Sequence, residues 1–154
     1  MTAGNCRGGR YGLSTERAEE KGNGMGGHMV ALTLWALLAL ELKHFLCDFV
    51  LQTEYQVRTK GIYGHLGGFI HSGLHILGTI PALLIFGATP KAIAIILAVE
   101  FVVHYHADWM KIAIDRVYHW GIDDQRYWIL FGVDQLIHQL TYIGILFVLA
   151  NGVI

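Results

Sequence analysis

The stretch "ELKHFLCDFVLQ", residues 41–52, places Glu41, Lys43, His44 and Asp48 at the end of an otherwise apolar run. If these side chains face the protein interior, the run from Met29 continues to about Leu51 as one helix. That is long enough to cross a bilayer core, which takes roughly 20 mostly apolar residues. If they face solvent, the run ends at Leu40 and is too short. The fold therefore turns on which way four polar residues point.

The rest of the chain favours the inward choice. Of 154 residues, 54% are hydrophobic and 15% charged, a balance that points to the membrane class. Counting runs by their freedom from Asp, Glu, Lys and Arg predicts four spans, at about 29–51, 68–86, 92–115 and 127–153. The expected fold is all-α, an integral membrane up-down bundle of four transmembrane helices. A closed β-barrel needs more alternating segments than are present. Residues 1–28 include eight glycines and little that could pack; they read as a disordered tail, or as a start-site artefact ahead of Met25 or Met29, separate from the membrane domain 29–154.

Composition also limits function. A net charge of −1 with no basic run gives no reason to expect nucleic acid. Cys6 and Cys47 form neither a CxxC pair nor a disulfide framework.

The short link "GATPK", Gly87–Lys91, makes the second and third spans antiparallel neighbours. With four crossings, loops 52–67 and 116–126 share one face. Near the span ends, that face carries Arg58, Lys60, Lys111, Arg116 and Arg126 against Arg17, Lys21 and Lys91 opposite, so it leans cytoplasmic.

Polar groups inside the spans repeat one device: His44/Asp48, His71/His75, His104/Asp108 and Asp134/His138, each four residues apart. In a helix this spacing puts both side chains on one face, about 6 Å apart. The pairs fall late, early, late and early in successive spans. An up-down bundle therefore brings all four to one depth. Five histidines and three aspartates exceed the four donors of a tetrahedral zinc, so one ion with supporting partners or two ions fit, and mixed imidazole and carboxylate suits Zn, Mn or Fe.

Glu41 and Glu100, one turn deeper, are candidate general bases. Gln52, Lys111, Arg126 and Gln135 are further polar candidates at the mouth, where Lys111 or Arg126 suits an anionic group. Lys43 and Cys47 read as facing away from the Glu41/His44 stripe, with Lys43 snorkelling or paired. His65, His106 and His119 read as loop or off-stripe residues. HSGLH (71–75) lacks the Glu that follows the first His of a zincin helix.

Four ordered motifs, "HFLCDFVLQ" (44–52), "HSGLH" (71–75), "HYHADWMK" (104–111) and "DQLIHQL" (134–140), make the chain from about Leu34 onward resemble a family of small bacterial polytopic membrane proteins of unknown function. The resemblance implies a multi-pass protein of the bacterial inner membrane. A looser similarity is to inner-membrane metal-dependent hydrolases, which implies action on a phosphoester or ester, with a lipid or lipid-linked substrate. Two other readings of the residues stand beside it. Intramembrane His and Asp also build metal-ion or proton paths, and polar stripes also act as clasps in a noncatalytic scaffold or homo-oligomer.

Overall fold

The computed structural model describes residues 9–154, with side chains from Gly26 onward. The expectation for residues 1–28 falls largely outside the described side chains. The elements in order are α1 (Gly9–Phe45), a π-helical turn (Leu46–Val50), α2 (Glu54–Thr59), α3 (Leu66–Phe86), α4 (Pro90–Tyr118) and α5 (Gln125–Ala150). Among the described residues there is no strand. Four segments, Gly26–Val50, α3, α4 and α5, are long and apolar enough to cross a membrane. The chain is an all-α bundle of four such helices.

The helix ends follow from local chemistry. Pro90 stands in the first turn of α4, where its missing N–H is not needed, and the Thr89 side chain accepts from Ala92 N at 3.1 Å. Asp124 Oδ1 accepts from Arg126 N at 2.9 Å to cap α5. The same carboxylate is gripped by the Arg126 guanidinium, which holds its pKa below the usual carboxylate range. α3 ends at Gly87 in a left-handed conformation, φ 73°, where a side chain would clash with the following backbone. The loop after the first span contains α2. Its start is a reciprocal capping box between Thr53 and Gln56.

α1 packs on α3 and α5, and α4 packs on α3 and α5, so the four long helices close a ring; α2 lies against α3. Their directions alternate. Ala36 and Leu40 of α1 meet Ala82 and Leu83 from the end of α3, Ile96 from the start of α4, and Ile145 and Leu146 from the end of α5. This apolar cluster fills the half of the bundle nearer Gly87–Thr89. Outward positions such as Leu38, Leu42, Leu77, Val99, Val102, Leu140 and Phe147 are exposed, as lipid-facing side chains are.

Lys43 and Cys47 correct the expected orientation of α1. They are 6% and 4% exposed, on the same inward face as His44. Lys43 and His44, about 100° apart around α1, bound the inward sector, and the π turn brings Cys47 and Asp48 back into it. The interior of a four-helix ring admits that width. Glu41 falls about 60° beyond the His44 edge and is only half-buried. Gly78 makes room for the turn of α1 that carries Lys43: a Cβ there would stand 3.2 Å from Lys43 Cβ.

Candidate metal centre

All eight predicted His and Asp residues converge in the other half of the bundle, towards loops 51–65 and 119–124. Six of them form two overlapping groups whose donor atoms lie within 4.8 Å of one another: Asp48, His71, His75 and His104, and His104, Asp108 and His138. The groups share His104. A neutral imidazole offers one lone pair, so His104 serves one ion at a time at a given nitrogen. The arrangement is therefore one complete site with a second, partial one, or two alternative positions for a single ion.

Each side chain is set by its helix. The last turn of the first span is a π turn, closed by Leu51 N donating to Leu46 O at 2.7 Å. Such wide turns recur at functional sites because they re-aim side chains. Here Asp48 Oδ1 comes within 3.1 Å of both His71 Nε2 and His75 Nε2 on α3. Asp108 reaches in from α4, with Oδ2 3.0 Å from His71 Nε2 and 3.5 Å from His104 Nε2. The imidazoles crowd: His75 and His104 have ring centroids 3.8 Å apart, and His104 and His138 4.2 Å apart.

His44 and Asp134 stand at the margins. His44 Nε2 is 3.3 Å from Asp48 Oδ2 and 2.9 Å from Gln135 Oε1, and its Nδ1 is 3.0 Å from the Tyr142 hydroxyl. Both of its nitrogens are thereby engaged, and its ring braces Asp48. Such a partner fixes the orientation of a metal-binding side chain. Asp134 Oδ1 lies 3.5 Å from His138 Nε2, at the edge of the donor group.

Both ring nitrogens of His104, the Nε2 of His138 and the Nδ1 of His71 are buried with no hydrogen-bond partner. An unpaired buried polar atom is costly, about 1–3 kcal/mol, and native interiors hold few of them. A cation accepting one lone pair each from His104 and His138 removes that cost at one nitrogen of each ring. The donor set thus fits a divalent ion of the Zn, Mn or Fe kind.

Three lysines complete the electrostatics, two of them not picked out by the sequence pattern as part of the centre. Lys43 Nζ pairs with Glu100 Oε1 at 2.5 Å and lies 4.5 Å from the Tyr142 ring centroid. Lys60, on the loop after α2, donates to Asp108 Oδ2 at 3.1 Å and Gln52 Oε1 at 2.6 Å. Lys111 donates to Asp134 Oδ2 at 2.7 Å. Asp48, Glu100, Asp108 and Asp134 are four carboxylates in or beside the cluster, and isolated charges there demand counter-charges. That demand was the available signal for Lys43 and Lys60.

Of the remaining candidates, Glu100 is buried one turn below His104, held by Lys43 and by Thr79 Oγ1 at 2.9 Å. Glu41 does not join this network. Gln52 and Gln135 do, through Lys60 and His44. Arg126 is exposed at the start of α5, on Asp124 and over the Trp120 ring at 5.3 Å. A cavity of about 370 Å³ adjoins the cluster through Lys60 and Lys111 and is lined further by Gln52, Val57, Ile112, Asp115, Tyr127, Leu130 and Phe131; neither the eight donors nor Arg126 stand in its wall.

His65 and His119 have structural tasks. His65 Nδ1 accepts from Gly67 N at 3.3 Å at the start of α3, and His119 ends α4 in a left-handed conformation, φ 51°. His106 is exposed, with Nδ1 2.7 Å from Val102 O.

Neither the curated proteins nor the solved structures yield a match to this chain. Residues 36–153, a stretch that contains the whole cluster, match the family described as "Protein of unknown function (DUF3307)", and the chain belongs to that family.

Proposed function

We propose that the protein is a metal-dependent hydrolase of the bacterial inner membrane, cleaving a phosphoester or ester presented at the membrane surface, with a lipid or lipid-linked molecule as substrate. One observation carries the reading: buried, unpartnered nitrogens of His104 and His138 lie beside Asp108, and the two lysines that face Asp108, Lys60 and Lys111, also line a cavity. Asp48, His71, His75 and His104, or His104, Asp108 and His138, would hold the ion. Held by these residues, a divalent ion would supply a water of lowered pKa and a Lewis acid for a phosphoryl or acyl oxygen.

The chain's own groups supply the rest. Lys60 and Lys111 attract the anionic end of a substrate, while Val57, Ile112, Leu130 and Phe131 give the cavity its apolar side. We assign proton acceptance from the attacking water to Asp134, whose Oδ1 is free of hydrogen bonds at the mouth end of α5. Glu100 is engaged instead as the counter-charge of Lys43. Water adds its oxygen to phosphorus or the acyl carbon as its proton passes to Asp134, the ester bond breaks, and the leaving alkoxide takes that proton from Asp134.

An ion path across the bilayer has less support, because the polar network ends at Glu100 and Thr79, above the apolar cluster of Leu40, Leu83, Ile96 and Leu146. A noncatalytic bundle held by polar clasps is the competing reading. It draws on the three lysine–carboxylate pairs, which neutralise Glu100, Asp108 and Asp134 without an ion.

Elemental analysis of the protein purified in mild detergent separates the two. Stoichiometric Zn, Mn or Fe that is lost in His75→Ala and Asp48→Ala, with ion-dependent cleavage of p-nitrophenyl phosphate or acetate, is the expected result. Protein that neither retains nor takes up any of the three ions overturns the proposal.

A further inference from the structure

Lys60 and Lys111 belong at once to the donor cluster and to the cavity. Each oxygen of Asp108 faces one of them: Oδ2 is 3.1 Å from Lys60 Nζ and Oδ1 is 3.7 Å from Lys111 Nζ. The same Asp108 sits in the donor group with His104 and His138. The two ammonium groups thus stand against a carboxylate that a divalent ion would also use.

Both claims on Asp108 cannot be met together at full strength. A dication bound to the carboxylate takes up its lone pairs and repels an ammonium a few ångströms away, in surroundings of low dielectric. Lys60 has little other room. Its side chain is 8% exposed and its Nζ also faces Gln52 Oε1 and His71 Nε2, the latter itself a candidate ligand. The open direction for both side chains is the cavity of about 370 Å³ whose wall they share. Lysine is suited to such a change, being a compact charge on a flexible stem.

We infer that the cavity is a phosphate-binding subsite armed by the ion: Lys60 and Lys111 face Asp108 while the centre is empty, and turn to a substrate phosphate once a divalent ion takes that carboxylate. This deepens the hydrolase reading and rests on its metal centre. The ligand is a tetrahedral, at least singly anionic phosphate group, from a lipid headgroup or a soluble ester. Gln52 and the Tyr127 side chain add neutral hydrogen-bonding groups to the wall. Asp115 is the one carboxylate in that wall, outweighed by two lysines.

The consequence is a coupling that thermodynamics makes reciprocal: whatever factor the ion adds to phosphate affinity, phosphate adds to ion affinity. The test titrates the full chain, in mild detergent, with Zn²⁺ held by a chelating buffer and with inorganic phosphate. Phosphate is expected to bind about tenfold or more tightly when the ion is present, with the same factor in the reverse titration. Lys60→Met removes the ammonium that competes for Asp108. It is expected to bind Zn²⁺ several-fold more tightly than the native chain while losing most of the coupling, an outcome that a misfolded variant does not give. Lys60→Arg, which keeps the charge, is expected to retain coupling.

Repeating the Zn²⁺ titration in nanodiscs with phosphatidic acid, against phosphatidylcholine alone, distinguishes the sources. Tighter Zn²⁺ binding with phosphatidic acid assigns a lipid headgroup, and a response to inorganic phosphate alone assigns a soluble ester. Zn²⁺ that binds stoichiometrically with no effect of phosphate or Lys60→Met overturns this inference and leaves the metal centre standing. Failure of Zn²⁺ to bind at all overturns both.

Discussion

The two halves of the bundle solve the problem of the membrane interior in opposite ways. Near Gly87–Thr89, Ala36, Leu40, Ala82, Leu83, Ile96, Ile145 and Leu146 fill the ring with apolar side chains. Towards the other end the same ring is filled by five histidines, four carboxylates and three lysines, mostly buried. Lipid is as apolar as leucine, so the first half is held by close packing without a solvent-driven force. The second half is held by hydrogen bonds and ion pairs in which each group needs its partners. A bundle needs only the first kind of interior to stand. The second carries a cost that a site explains.

The largest effect is expected where the halves meet, at Lys43 and Glu100. Lys43→Met leaves the Glu100 carboxylate buried without its counter-charge, a loss of about 3–5 kcal/mol. The double change Lys43→Met with Glu100→Gln should regain most of it, as read from denaturation midpoints in detergent. If the single variant is as stable as the parent, the pair is not what separates the polar half from the apolar one.

Next comes a crossed comparison of His104→Ala and Leu83→Ala. His104→Ala should lower ion affinity by more than the roughly 10–100-fold cost of losing an orienting partner, with only a small change in stability of the ion-free protein. Leu83→Ala should cost about 2 kcal/mol or more of stability and leave the metal content unchanged. If both changes move both quantities alike, the halves are not separable.

A smaller effect is expected at His44, which braces Asp48: His44→Ala should weaken ion binding by about tenfold, the low end for an orienting partner. The smallest lies outside the bundle interior. Asp124 has a folded pKa below its unfolded value, so its cap on α5 is present above the ordinary carboxylate range and is lost as pH falls through the lowered value. Being exposed, it should give no resolvable shift in the denaturation midpoint in Asp124→Asn, which retains the cap.

The spans and the cluster were legible because both depend on local repeats. Apolar length marks a crossing, and pairs four residues apart mark a helix face; alternating position then fixes a common depth. The face of α1 was not legible, because Glu41, His44 and Asp48 fit a stripe as well as Lys43, His44 and Cys47 do. Which edge turns inward is set by how closely α1 approaches α3 at Gly78. Lys60 was invisible for a different reason. It lies in a loop, and only the seating of α2 on α3 carries it to Asp108.

By itself, then, the sequence determined an all-α bundle of four apolar helices with eight ligand-type side chains at one level, since periodicity and length are properties of the chain alone. Only the tertiary structure decided that six of those eight share two overlapping donor groups, that His44 braces Asp48 while Asp134 stands at their edge, and that Lys43, Lys60 and Lys111 answer the buried carboxylates. Those outcomes depend on distances between helices, and a one-dimensional pattern fixes the angle of a side chain around its own helix without fixing what stands opposite.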